Sequence, residues 1–227
     1  MTQILLTRPL AQSHRFADSL GAGYTAEISP LLEISYRDGP VETGAARAVV
    51  FTSSNGIQGW AQRGGATILP AWCVGQRTAE VAQQAGFPVQ GYAPNLRALA
   101  QCLDTQTRGP LLHIRGKHVS TELSALLPTR IVETCIVYEA VAHPLTQSAT
   151  TGLRQGRFDV IPIFSPRTAR RLVAAYQPQW HLGQTRILAI SDAAAQVLKS
   201  LPAKTIETAL SPNSASVLAL LRRNSAQ

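Results

Sequence analysis

The sequence predicts an α/β fold built on parallel sheets, and three observations carry that prediction. Two apolar stretches rich in Val, Ile and Phe open the segments AVVFTSSNGIQGWAQ (48–62) and DVIPIFSPRTARRLVAAY (159–176). Each is as short as a strand buried on both faces, and each runs through a hydroxyl into a pattern of helical period. Strand-like and helix-like segments then alternate along most of the chain, the order that builds parallel sheets from crossover units. Finally, landmarks recur: Thr52 with Ser165, Gly75 with Ser191, Pro94 with Pro212 and Arg8 with Arg115 all stand at nearly one offset, of about 110 residues, as in a tandem duplication.

Taken in order, Gln3–Leu6 reads as a short strand, followed by a helix over about Gln12–Leu20 that stops at Gly21–Gly23. Thr25–Ser35 reads as one extended, alternating piece containing Pro30, and Gly39–Gly44 as a linker or helix start. The 45–52 strand feeds a helix reaching about Gly64. Trp72–Gly75 turns through glycine into a helix ending at Gly86. Val89–Tyr92 is a strand, Asn95–Leu103 a helix, Pro110–Arg115 a strand, and a helix is expected around Ser120–Leu127. Arg130–Val141 alternates as a long strand. In the second half, Val160–Phe164 and Arg186–Ser191 are strands with their own helices, and 210–221 mirrors the segment from Ala93 to Leu103.

Composition narrows the function. With 227 residues the chain has room for two domains of about 100 residues each. It is 45% hydrophobic and 15% charged, with no apolar run long enough to span a bilayer, so neither a membrane protein nor a disordered one is expected. MTQILLTRPL lacks the basic start and long apolar stretch of a signal peptide, which predicts a cytoplasmic protein. Cys73, Cys102 and Cys135 form neither a CxxC pair nor an even disulfide set and read as buried hydrophobes. His113 and His118, in HIRGKH, have no cysteine or carboxylate partners in metal-ligand spacing; they read as loop or surface histidines, and no metal is expected. The net charge of +8 points to an anionic partner. The basic residues are scattered, without a polybasic or aromatic-laced run, which argues for a small anion rather than nucleic acid.

In open α/β sheets ligands bind beyond the carboxyl ends of the strands. The candidates there are Arg8; Thr52, Ser53, Ser54 and Asn55; Gly75 and Thr78; Arg115 and Gly116; Ser165, Pro166 and Arg167; and Ser191. Main-chain N–H groups at a helix start, flanked by hydroxyls or glycine, can receive a carboxylate or phosphate; the same hydroxyls also serve as ordinary N-caps. No G-x-G-x-x-G follows a strand, no P-loop occurs, no serine sits in a G-x-S-x-G elbow, and no pair of acids stands out among the 13 acidic residues. An enzyme of this composition would work by binding, shape and one mild acid.

At these residues the sequence resembles the uroporphyrinogen-III synthase family. The matching pieces, LLTRP, VVFTSSNGI, CVGQRTA, HIRG, VYEA (137–140), IFSPRTA, AISDAAA and SPNSASVLALL, occur in the family's order over residues 5–221. The resemblance implies two Rossmann/flavodoxin-like lobes joined by a two-stranded linker, the first formed by residues 1–35 and 143–227 and the second by 36–142. The offset alone would divide the chain once, near Arg108. It also implies the reaction: hydroxymethylbilane, with eight carboxylates, loses water and closes through a spiro intermediate into uroporphyrinogen III with the terminal pyrrole inverted, without cofactor. Tyr138 falls on the family's VYE-like motif, where a tyrosine is proposed to assist departure of the hydroxyl, and a phenol protonated at neutral pH can do so. Ser191-Asp192 departs from the glycine-containing corner of many relatives. A monomer is expected. The rival expectation from another class is a two-lobed module that binds a small anion without chemistry. A phosphosugar isomerase is a third, for which the acid–base pair is missing.

Overall fold

The computed structural model describes residues 1–119 and 121–223. Its elements in chain order are β1 (Thr2–Leu6), α1 (Leu10–Asp18), β2 (Tyr24–Ile28), β3 (Leu32–Tyr36), β4 (Ala48–Phe51), α2 (Ser54–Gln62), β5 (Ala71–Val74), α3 (Gln76–Gln84), β6 (Val89–Ala93), α4 (Leu96–Gln106), β7 (Leu111–Gly116), α5 (Leu123–Leu126), β8 (Val132–Ala142), α6 (Gln147–Arg154), β9 (Val160–Ile163), α7 (Pro166–Ala175), β10 (Arg186–Ala189), α8 (Asp192–Leu198), β11 (Thr205–Thr208) and α9 (Ser214–Arg223). The chain divides into two compact units, residues 1–33 with 141–227 and residues 34–140.

The first unit holds a five-stranded sheet in the order β11-β10-β9-β1-β2, and the second a six-stranded sheet in the order β3-β8-β7-β4-β5-β6. The pairings β1–β2, β1–β9, β9–β10 and β10–β11 are parallel in one, as are β7–β8, β4–β7, β4–β5 and β5–β6 in the other. Setting β9, β10, β11, β1 and β2 against β4, β5, β6, β7 and β8 gives the same strand order, with β3 added at one edge. The four landmark pairs that recur in the sequence therefore stand at equivalent strand ends.

Each central strand is buried on both faces because helices cover both. Val49 and Phe51 of β4 face a cluster with Ile57, Trp60 and Ile114, while Ala48 and Val50 face another with Leu99, Leu103 and Leu123. In the first unit Leu5, Ile161 and Ile163 face one cluster, and Ile4, Leu6 and Val160 the other. This alternation follows from the two-residue period of the strand, and it makes the central strands read as unbroken apolar runs.

Several expectations are corrected. The piece expected over Thr25–Ser35 is two strands, β2 and β3, in different sheets. Pro30 has no N–H to donate and breaks the ladder; around it Ser29 N donates to Leu6 O at 2.9 Å and Leu31 N to Thr7 O at 3.1 Å. The helix expected around Ser120–Leu127 is a single turn, α5, and Ser120 lies outside the described residues. His113 is not a loop or surface residue: it is 1% exposed within β7. The short helix α6 and the edge strand β11 were not anticipated. One is capped by the Thr146 hydroxyl and buries only Ala149, Gly152 and Leu153; the other, TIET, carries almost no apolar signal. Among the described residues no helix is long and apolar enough to cross a membrane.

Candidate functional site

In the second unit the carboxyl ends of β7, β4 and β5 bring Arg115-Gly116, Thr52 to Asn55 and Gly75 to Thr78 side by side, and Tyr138, within β8, stands level with them because it pairs with Gly116. In parallel sheets neighbouring strands lie about 4.8 Å apart, so these groups form one row. Ser53 is the N-cap of α2, with backbone φ −162° and ψ 146°, and its Oγ accepts from Asn55 N at 3.2 Å. Gly75 caps α3 at φ +80°, a left-handed conformation that glycine alone adopts readily. It lets the chain turn sharply while Gly75 N donates to Ala93 O at 2.8 Å and Thr78 N to Gly75 O at 3.1 Å. Thr78 itself is buried, whereas Thr52, Ser53, Ser54 and Asn55 are half-buried.

Tyr138 is the row's titratable group. Burial holds its phenol above the ordinary value; a hydrogen bond with Ser53 and the charge of Arg115 oppose this without reversing it. The hydroxyl therefore keeps its proton at neutral pH. The next residue, Glu139, is held below the ordinary carboxylate value by a hydrogen bond from Lys117, whose Nζ stands 3.0 Å from Oε2. It remains an anion paired at the surface.

Arg115 is 7% exposed and already engaged. Its Nη1 donates to Gly116 O at 2.8 Å and Lys117 O at 3.2 Å, and its Nη2 to Glu122 Oε1 at 2.8 Å. These bonds clamp the corner after β7 and leave little for a ligand.

In the first unit β10, β9 and β1 line up Ser191, Ser165 to Arg167 and Arg8 in the same manner. Ser165 caps α7, its Oγ accepting from Thr168 N at 3.0 Å, with Pro166 opening the helix and Arg167 in its first turn. Ser191 caps α8 through Ala194 N at 3.4 Å, and Asp192 stands in the first turn, where a negative charge complements the helix dipole.

Arg8 is bonded differently from three arginines that pair with carboxylates. Arg115, Arg157 and Arg186 each meet a carboxylate, on Glu122, Glu27 and Glu207. Arg8 instead donates to the neutral Ser214 Oγ at 3.0 Å and Gln12 Oε1 at 3.2 Å and lies over the Phe164 ring at 3.9 Å. Its Nε is buried without a hydrogen-bond partner among the described residues. Burial, with help from the charge of Arg15, pulls its pKa down to about 10. It is a desolvated cation whose hydrogen-bond partners carry no charge, and a carboxylate arriving there would restore what burial removed.

Sequence reasoning missed the partners that fix these groups: Glu122, Lys117, Phe164, Ser214, and Arg63, whose guanidinium spans Gly39 O, Pro40 O and Ile136 O. Phe164 stands directly before Ser165 in IFSP, and Lys117 and Glu122 closely follow Arg115, so these could have been found; Arg63 and Ser214 are distant in sequence from the groups they hold and leave no local signal. Among the described residues no group of three or more His, Cys, Asp or Glu is placed to hold a metal ion.

The family model for uroporphyrinogen-III synthase HemD matches residues 17–219 of the chain. No curated protein matches it. Among solved structures, the uroporphyrinogen-III synthetase of Helicobacter pylori 26695 is similar with a TM-score of 0.68 at 19% identity, covering 97% of this chain and 98% of that one. A mutant uroporphyrinogen III synthase from the extremely thermophilic bacterium Thermus thermophilus gives a TM-score of 0.59 at 15% identity, covering 98% of both chains. At such identities the two structures speak for the fold.

Proposed function

Because the chain belongs to the uroporphyrinogen-III synthase family, we propose that it closes hydroxymethylbilane into uroporphyrinogen III, as a cofactor-independent lyase that removes water. The observation that carries the residue-level reading is the second unit's row of strand ends. There a half-buried phenol that keeps its proton, Tyr138, shares a hydrogen bond with Ser53, the N-cap of α2. The C–O bond of the hydroxymethyl group breaks, the hydroxyl leaves as water with the Tyr138 proton, and the resulting cation is captured by carbon of the terminal ring. Closure releases one proton, which restores the phenol. Since uncatalysed closure gives the symmetric isomer, most of the catalysis is selection of one geometry.

The main-chain N–H groups at Ser53, Ser54, Ser165, Arg167 and Ser191 are proposed to receive substrate carboxylates, while those of Asn55, Gly75 and Thr78 donate within the chain and hold the corners in shape. Thr52, Gly116 and Pro166 shape the corners through which those carboxylates approach, and Arg115 supports its corner. Arg8 supplies the side-chain charge. Replacing it by methionine keeps the apolar stem on Phe164 and removes one charge-assisted contact. The expected result is a KM for hydroxymethylbilane raised about tenfold with kcat little changed, and an unchanged KM would return Arg8 to a packing role.

Three cysteines without a disulfide suit a reducing compartment, and the enzyme is proposed to work in the cytoplasm, as a monomer without nucleic-acid partners. Turnover is expected to survive exhaustive treatment with a chelator, followed by desalting. Activity lost there and restored by a metal would contradict the cofactor-independent mechanism.

A further inference from the structure

We infer that Gly116 is a positioning residue for the Tyr138 hydroxyl, and that an extra residue in β8, seated against Gly59 of α2, is what swings the ring over it. The inference rests on the reading of Tyr138 as the proton donor and adds how the fold aims it. Between β7 and β8 the register runs Leu112 with Glu133, Ile114 with Cys135 and Arg115 with Ile136, and then slips, so that Gly116 pairs with Tyr138. Val137 is the additional residue. In an unbroken ladder Tyr138 would leave the sheet on the face opposite to Val137; with the slip, both pack toward the cluster built on Phe51, Ile57 and Trp60. Re-aiming one side chain is what a bulge accomplishes in a ladder.

The bulge is fastened at three successive carbonyls. Ile136 O accepts from Arg63 Nη1 at 3.2 Å, Val137 O from Arg37 N at 3.0 Å, and Tyr138 O from Lys117 N at 2.9 Å. On its inner side α2 comes so close that a Cβ on Gly59 would stand 2.9 Å from Val137 O and 3.0 Å from Val137 Cβ. The swung ring then lies across the α-carbon of Gly116. A Cβ there would meet Tyr138 Cζ at 2.6 Å, Cε2 at 2.7 Å and the hydroxyl oxygen at 3.0 Å. Gly116 is not among the positive-φ glycines, so its backbone would accept another residue; the tyrosine ring is what excludes a side chain. A methyl group at 116 must therefore lift the ring and carry the hydroxyl away from Ser53.

The test combines activity with two readouts that do not depend on it. Gly116→Ala is expected to lower kcat about tenfold, as Tyr138→Phe does, with KM held within about twofold. In Gly116→Ala/Tyr138→Phe, kcat should fall no further than in Tyr138→Phe alone. With 3-fluorotyrosine incorporated, the fluorine resonance assigned to Tyr138 through its absence in Tyr138→Phe should move in Gly116→Ala. If Gly116→Ala lowers the melting temperature, the loss should vanish in the Tyr138→Ala background, where no ring stands in the way. A Gly116→Ala enzyme with unchanged kcat, an unmoved resonance, or an equal loss of stability with and without the ring would overturn the inference. Should the unmodified protein fail to turn over hydroxymethylbilane, the functional reading fails, and the resonance and the stability comparison still decide the positioning of the ring.

Discussion

Tyr138→Phe is expected to lower kcat for closure of hydroxymethylbilane tenfold or more, a rise of at least about 1.4 kcal/mol in the barrier. The substitution keeps the ring, its packing and the bulge beneath it and deletes the hydroxyl proposed to hand a proton to the departing group. Burial raises the pKa of that phenol, so over the neutral range it is present as the acid. KM should stay close to that of the unmodified protein, because the carboxylates are proposed to be received elsewhere, at helix starts and at Arg8. A fall in kcat with KM constant marks an interaction made at the transition state. Unchanged turnover in Tyr138→Phe would reduce Tyr138 to a packing residue.

Acid is expected to destabilise the second unit through His113. This side chain is 1% exposed in β7, and neither ring nitrogen has a hydrogen-bond partner among the described residues. Burial, and secondarily the charge of Arg115, pulls its pKa down to about 4. Above pH about 6.5 the imidazole is neutral whether the chain is folded or not, and it adds no pH dependence. As pH falls below that value the unfolded chain binds a proton that the folded one refuses until pH nears 4, so stability declines across this window and levels off beneath it. The total is about 3 kcal/mol, on the scale of 1.36 kcal/mol per pKa unit. That is a large part of the ~5–15 kcal/mol that holds a domain together. Urea unfolding at pH 7 and at pH 4.5 should show the loss in the unmodified protein and a markedly smaller one in His113→Leu. Equal losses in both would mean that His113 takes up its proton without resistance.

What the sequence made legible was the part of the fold written in short-range pattern. Val49 to Phe51 and Val160 to Ile163 announce buried strands because helices cover both faces of each. Ser53, Asn95, Ser165 and Ser191 announce helix starts, and each side chain does accept a backbone N–H there. The recurrence of Arg8 at Arg115 marks equivalent strand ends, yet the two residues diverge in use, because the stretch after Arg115 supplies the carboxylate of Glu122 while Arg8 meets the neutral Gln12 and, from the far end of the chain, Ser214. The same cause hid the burial of His113: LLHIRG carries one polar residue ahead of its arginine, and only the strands on either side of β7 and the packed layer over it decide that it is enclosed. The split at Pro30 was hidden too, since a proline marks a break in a ladder without saying that the two strands join different sheets. The bulge at Val137 leaves no mark in the alternation of RIVETCIVYEAV, where one residue of slip looks like one more step of a strand.

The central claim is tested most directly by the isomer composition of the product when the purified protein is supplied with freshly generated hydroxymethylbilane. Uroporphyrinogen III in large excess over the symmetric isomer, formed well ahead of spontaneous closure, is the predicted result. A product whose isomer ratio and rate match the blank without protein would contradict it.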